Sequence, residues 1–472
     1  MITALNNYIY PNKFNKYTSF ISIFSILLGL IATLTFYKIT YLKAVFLLMG
    51  AFGVGVIFLL PEFGLVLSFS SAIFKEWLSL NVPIFAQLDF SIAIFGITFL
   101  GIIYSILKKG ISFDRLLENN FVSLLLFTVL LIISTLYTSS SEYGNNKAMS
   151  FVIFNWSLFL FPILYVTDEK VAFRIVYIFA LLGVVVSIFT IVSIIKSFLN
   201  QTLIFTYRAS FLEVNPISFA GWVGVINILL ISIFPKIQTK HWKFFAGFAI
   251  FLLSVAIIVA NSRGPLFSFI ATLSVIMFFK LKKLTLKKIL IFGLLLIVFL
   301  IIVFSFLPEQ LTSRYTTVIK GEAATRQIAY YTINTRLDFW NASIESATKN
   351  VKNFFIGIGS GGFSKMFYHR DSRDYPHNIF FEILVELGVI GLLLIVWHFS
   401  TILFKSVTCF SNSLSESQKT LMFAFSMAAL FNLIAAQFSG DLNDNRRLWF
   451  FLGFICALSN FISLKKYSKI ET

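Results

Sequence analysis

The stretch KKILIFGLLLIVFLIIVFSFLP, residues 287 to 308, places 19 uncharged, almost wholly apolar residues between a lysine pair and a proline. A helix rises about 1.5 Å per residue, so such a run covers the roughly 30 Å of hydrocarbon in a bilayer. Working outward, comparable runs lie near 19–37, 43–60, 63–80, 88–107, 120–137, 148–166, 171–197, 214–234, 244–260, 265–279, 378–404, 419–437 and 447–464. Hydrophobic residues make up 58% of the 472, charged residues 12%, and the mean hydropathy is +0.87. These values describe an all-α polytopic membrane protein of about 12 to 14 transmembrane helices. The run at 63–80 is the weakest, because Pro61 opens it and Lys75, Glu76 and Trp77 interrupt it; a re-entrant or interfacial piece is the alternative there.

The net charge of +17 would suggest nucleic acid in a soluble protein. Here the basic residues sit in short connections instead: Lys108, Lys109 and Arg115; Lys236, Lys240 and Lys243; Lys280, Lys282, Lys283, Lys287 and Lys288; Lys465, Lys466 and Lys469. The alternating connections, such as SSSEYGNNK (139–147) and GDLNDNRR (440–447), carry far fewer. By the positive-inside rule the first set is cytoplasmic, both termini are inside, and nucleic acid is not a partner. The first run, with Lys13 and Lys16 before it, reads as an uncleaved anchor. Cys409 and Cys456 are too far apart for a CxxC metal site and suggest no disulfide framework.

One connection is long. Pro308 to Pro376 falls on the external side by parity, and loops of that length are usually functional. The chain thus divides into 1–307, transmembrane helices with two arginine-bearing external loops; 308–376, a large and partly helical loop; and 377–472, the last transmembrane helices. Within the loop, Leu337, Trp340, Ile344 and Ala347 fall at i, i+3, i+7 and i+10, the stripe of an amphipathic helix lying on the membrane domain. GIGSGGF (357–363) reads as a glycine turn.

Few residues could carry chemistry. Arg208 precedes NPISFAGW (215–222), and Arg263 lies in NSRGP (261–265) between two runs with almost no loop. A guanidinium near scarce water is costly unless it meets an anion, and its planar fork suits phosphate oxygens, so two on one side suggest a diphosphate. Snorkelling or helix capping is the plainer account of each. His377 opens YPHNIFFEILVELGVIGLLL (375–394), where an imidazole can take a proton from a sugar hydroxyl and Asn378 can orient it; a satisfied hydrogen-bonding histidine is the plainer account. Arg336 and Trp340 suit sugar rings, although a helix face explains Trp340 equally well. Glu382 and Glu386, at i and i+4, suit a cation or a proton relay. Asp441, Asp444, Arg446 and Arg447 suit either substrate hydroxyls or solvent. No HExxH, Walker A or CxxC motif supports a metal or cofactor.

The order NSRGP, a long external loop with RLDFW (336–340) and GIGSGGF, then HNIFFEILVELGVIGL with Gly388 and Gly391, resembles the O-antigen ligase and polymerase superfamily, from about Arg208 to the C-terminus. The resemblance implies a GT-C-like glycosyltransferase in the bacterial inner membrane, with its large loop and active site periplasmic. The donor is an undecaprenyl-diphosphate-linked glycan and no metal or cofactor is required. Arg208 and Arg263 would hold the diphosphate, His377 would be catalytic, and Arg336, Trp340, Asn378 and Arg446 would touch glycan. The acceptor would be lipid A core in a ligase, or a second lipid-linked glycan in a polymerase, among the membrane lipids that surround either. NPISFAGW is a loose version of the segment after the first arginine. A lipid-linked glycan transporter is the more distant alternative, and Asp338, Asp371 and Asp374 keep a cell-wall glycan polymerase open.

Overall fold

The computed structural model describes residues 52–81, 89–109, 119–200, 208–212, 214–281, 323–412 and 415–468. Among these the chain is helical, with no strand. The spans expected at 19–37 and 289–307, most of that at 43–60, and loop residues 308–322 lie outside them.

The membrane-type helices are α1 (Pro61–Asn81), α2 (Phe90–Lys109), α3 (Asn119–Ser134), α4 (Ser141–Tyr165), α5 (Glu169–Leu199), α6 (Pro216–Ile233), α7 (Lys240–Val259) and α8 (Arg263–Leu281). The large loop contributes α9 (Ala323–Thr348), α10 (Val351–Ile356) and α11 (Gly362–Tyr368), followed by α12 (Ile379–Asn412), α13 (Glu416–Ala435) and α14 (Arg446–Ser468). Among the described residues eight helices, α1, α2, α4 to α7, α12 and α13, are long and apolar enough to cross a membrane, and two shorter apolar ones lie at 121–134 and 263–279. The weak run at 63–80 is a full helix. Pro61, at its first residue, needs no intrahelical partner for a missing N–H, and Phe69 and Ile73 bury themselves in the bundle.

Helix α6 is apolar all round because it is enclosed all round, by α5, α7, α8 and α13. Its Trp222 donates to Ser70 Oγ of α1 at 2.9 Å. Polar groups are matched at the end where α1 and α5 begin: buried Glu62 accepts from Arg174 Nε (2.9 Å), Arg174 Nη2 (2.6 Å) and Tyr165 Oη (2.7 Å).

Helix α4 departs from the sequence reading. SSSEYGNNK is a loop only to Ser140; Ser141 starts a helix that passes through a π turn at Phe151–Asn155 into Trp156–Tyr165. Asn155, on that turn, donates to the carbonyl of Leu442 at 3.1 Å, tying α4 to the 436–445 loop.

Helix α12 is broken at Gly388, whose φ of 66° and ψ of −167° are not helical. The break frees backbone carbonyls inside the bundle, where an orphan is costly. GIGSGGF supplies the partners: Ile358 N donates to Val385 O at 3.0 Å and Gly359 N to Glu386 O at 2.9 Å. The motif is therefore a backbone plug as well as a turn.

The expected amphipathic helix exists as α9, but its buried stripe is rotated. Leu337 and Ile344 are 46% and 43% exposed, whereas Phe339, Ser343, Ser346 and Ala347 are buried. The side facing the domain must fit the tight glycine motif and Val385, so it uses one aromatic anchor, Phe339, beside small residues.

Candidate functional site

The connections at 135–140, 208–215, 260–262, 349–378 and 436–445 meet at one end of the bundle. Tyr137 Oη donates to Ile356 O (2.6 Å), Thr138 Oγ1 to Ser360 O (2.7 Å), Ala209 N to Val259 O (3.2 Å) and Ile379 N to Ala436 O (3.1 Å). These bonds join the large loop to the helix ends from which the candidate residues arise.

His377 occupies a tight turn between Pro376 and the start of α12. Its φ is +58°, in the left-handed region that non-glycine residues adopt at a cost. Four neighbours hold it there. Asn378 caps α12, its Oδ1 accepting from Phe380 N at 2.9 Å and Phe381 N at 3.2 Å. Trp340 Nε1 donates to Pro376 O at 3.1 Å, and its ring stacks on Phe381 at 5.3 Å. The imidazole lies nearly parallel to Phe339 at 6.1 Å and edge-on to Tyr375 at 4.6 Å. Trp340 and Asn378 thus position His377 directly, and only the part of the Trp340 ring not covered by Phe381 remains for a sugar.

The imidazole Nδ1 is buried with no hydrogen-bond partner among the described residues. A buried ring nitrogen normally has one, and no described residue supplies it here. Burial pushes the pKa of His377 down from 6.5 to about 4; Arg336, one turn from Trp340 on α9, pushes the same way, and Asp374 and Asp441 oppose. The ring is therefore neutral at physiological pH and able to accept a proton.

The segments carrying Arg208 and Arg263 meet although the two residues are 55 positions apart in the sequence. Arg208 Nη2 donates to Ser262 Oγ at 2.8 Å, and Ser262 directly precedes Arg263, the first residue of α8. Asn261 makes the reversal from α7 to α8 in a left-handed conformation, with φ of 50°. The arginine pair borders the same 436–445 connection as His377: a Cβ on Gly264 would lie 3.2 Å from Phe438, and Phe267 packs edge-on against Phe438.

The sequence reading named Asp441, Asp444, Glu382 and Glu386 but not the cations that pair with them, Arg373 and Lys147. Asp441, almost wholly buried, accepts from Tyr143 Oη (2.8 Å), Arg373 Nε (3.2 Å) and Asp444 N (2.7 Å). Burial would raise its carboxyl pKa, but Arg373, Lys147 and the Asp444 amide outweigh that and keep it ionised. Arg373 also pairs with Asp444. Glu382 and Glu386 do form one face, yet the cation they meet is internal: Lys147 of α4, fully buried, pairs with both, at 2.5 Å from Glu386. Glu382 Oε1 also accepts from Leu442 N at 3.1 Å. The missed signal was stoichiometric. Two carboxylates on one face of an apolar span need a cation, and Lys147 stands at the head of one of the apolar runs at this end.

Arg446 lies over the Phe154 ring at 4.8 Å and donates to Asn443 O at 3.3 Å. Among the described residues no three His, Cys, Asp or Glu side chains gather where they could hold a metal ion. The arrangement thus offers a neutral base, a pair of guanidiniums, and a rigid frame around both.

Residues 248–396 match the family model described as O-Antigen ligase. The match runs from α7 to the middle of α12 and takes in Arg263, Arg336, Trp340, His377 and Asn378; Arg208 and Arg446 lie outside it. It supports the O-antigen ligase and polymerase superfamily. No curated protein matches the chain.

Proposed function

We infer that this member of the O-antigen ligase and polymerase superfamily is a glycosyltransferase of the ligase type, moving an undecaprenyl-diphosphate-linked O-antigen or related polysaccharide onto lipid A core. The observation that carries the reading is His377: a neutral imidazole whose Nδ1 has no partner among the described residues, held in a strained turn that borders, through the 436–445 connection, the segments carrying Arg208 and Arg263. Strain held in place by a capped helix and two aromatic neighbours is characteristic of functional positions.

In this mechanism Arg208 and Arg263 hold the donor diphosphate. His377 takes the proton of the acceptor hydroxyl as that oxygen attacks the anomeric carbon. The bond from the anomeric carbon to the diphosphate oxygen breaks, the electron pair leaves with undecaprenyl diphosphate, and the two guanidiniums stabilise the developing charge without a metal. Arg336 and the free part of Trp340 face incoming glycan. The site lies on the periplasmic side of the inner membrane, and both termini lie in the cytoplasm.

Reconstitution with labelled lipid-linked glycan and lipid A core tests this. Wild type should transfer with or without chelator, and His377→Ala and Arg263→Ala should remain folded and inactive. Full activity in either variant overturns the site, and loss of wild-type activity in chelator overturns the metal-free step. The polymerase reading uses the same residues with a second lipid-linked glycan as acceptor. In cells, a deletion that leaves polymer on its carrier lipid supports ligase, and one that leaves single repeat units on finished lipopolysaccharide supports polymerase.

A further inference from the structure

A second cationic pocket lies beside the first site, between α1, α6 and the start of α14. Arg446 and Arg447 line it from α14, Ser218 and Trp222 from α6, and Phe69 and Ile73 from α1. Arg447 Nη1 donates to Ser218 O at 2.8 Å, and its guanidinium lies flat against α6: a Cβ on Gly221 would come within 2.7 Å of both terminal nitrogens. A glycine here allows an approach that any side chain would block.

Neither guanidinium has a carboxylate within 4 Å among the described residues. Asp444, at the rim, directs its carboxylate to Arg373, and Asp441 is taken by Arg373 and Tyr143. Buried Lys147, by contrast, has opposite charges in contact, Glu382 and Glu386. Asp444, which also lines the cavity, acts on both guanidiniums only from beyond contact, so their contact partners are carbonyls and one aromatic ring, and the two positive charges exceed the one negative charge facing the cavity. The N-terminus of α14 adds the positive end of the helix dipole. Phe69 and Ile73, buried core residues of α1, also line the cavity.

We propose that this pocket binds the phosphate group of a second lipid, so that the enzyme holds a phosphorylated lipid acceptor at Arg446 and Arg447 while the donor diphosphate occupies Arg208 and Arg263. The proposal rests on the donor assignment above for its meaning, but not for its chemistry. Three sources share that chemistry: lipid A core, a second undecaprenyl-diphosphate glycan, and a bilayer phospholipid.

The test uses the full chain in phosphatidylcholine nanodiscs, with bound lipids counted by native mass spectrometry after adding undecaprenyl diphosphate, lipid A or phosphatidylglycerol separately. For one of the three, wild type should retain one molecule that Arg446→Gln with Arg447→Gln removes and that Arg208→Gln with Arg263→Gln leaves in place. Which lipid behaves so names the source. Ala72→Trp, at the mouth of the cavity and away from both guanidiniums, should block the same molecule if the arginine variants fold poorly. Retention of all three lipids unchanged by Arg446, Arg447 and Ala72 substitutions overturns the pocket. Loss of undecaprenyl diphosphate in the Arg208 and Arg263 variants reports on the donor site alone, so failure of one assignment is visible without the other.

Discussion

The imidazole of His377 should remain neutral well below the pH at which a free histidine titrates. Burial and then Arg336 bring its pKa from 6.5 to about 4, against the smaller pull of Asp374 and Asp441. A general base works unprotonated, so the acid limb of kcat/KM, which reports the free enzyme, should fall near pH 4. At pH 5.5 an ordinary histidine is only about one-tenth neutral, while His377 is almost fully so, a rate difference of roughly tenfold. Bound diphosphate should change this, because an anion within about 4–6 Å raises such a pKa by roughly 1–3 units. The limb in kcat, which reports the complex, is thus expected between about pH 5 and 7, and Arg336→Gln should move the kcat/KM limb upward. Stability follows the same shift. The folded state binds fewer protons than the unfolded state between pH 6.5 and about 4, so this contribution is complete above 6.5. It is lost as pH falls through that window, by at most about 1.4 kcal/mol per unit. Transfer rates should therefore be measured from pH 4 to 8 beside tryptophan fluorescence of the same samples. A wild-type kcat/KM limb at 6.5, or an unchanged profile in His377→Gln, would refute the reasoning.

Three further outcomes are expected. Arg208→Lys and Arg263→Lys keep the charge but lose the planar fork, so the donor KM should rise about tenfold or more in each; an unchanged KM in a donor titration removes them from the diphosphate site. A Cβ at Gly357 would meet the Glu386 carbonyl carbon at 2.3 Å and one at Gly388 the Phe355 carbonyl carbon at 2.4 Å, both at positive φ. Alanine at either should therefore cost about 2 kcal/mol or more, and an unchanged Tm in detergent contradicts the broken helix. Lys147→Met strands two buried carboxylates and should cost about 3–5 kcal/mol, most of it recovered with Glu382→Gln and Glu386→Gln together. A triple variant no more stable than Lys147→Met means that Lys147 is not their counter-ion.

The bundle was legible because apolar runs of spanning length leave a polypeptide little choice but helix, and because Arg208, Arg263 and His377 are rare residues in expensive places. What escaped was pairing. Lys147 looked like part of a polar loop because hydropathy weighs each residue alone, whereas its burial is decided by Glu382 and Glu386, more than 200 positions away. The rotated face of α9 escaped for a related reason. Counting apolar residues favoured Leu337 and Ile344, but the face that packs on the domain is made of Phe339, Trp340 and small side chains. Trp340 was visible as an aromatic residue on a helix, and its hydrogen bond to the carbonyl preceding His377 was not.

The break in α12 explains how a single histidine on a loop can be held in a fixed position, as the proposed role of general base requires. An uninterrupted helix would satisfy its own carbonyls and give the large loop nothing to register against. Once Gly388 frees the carbonyls of Val385 and Glu386, the amides of Ile358 and Gly359 take them, which fixes the glycine motif along the helix axis by backbone bonds that no rotamer change can shift. That motif carries Phe363, which packs on Phe339, and Phe339 lies against the imidazole. From the other direction, Asn378 caps the same helix and fixes the residue beside it. His377 is therefore positioned twice by α12, through its cap and through its break. Slackening at Gly388 should accordingly impair transfer before it impairs donor binding, since the arginines sit on α8 and the Arg208 segment, outside this circuit.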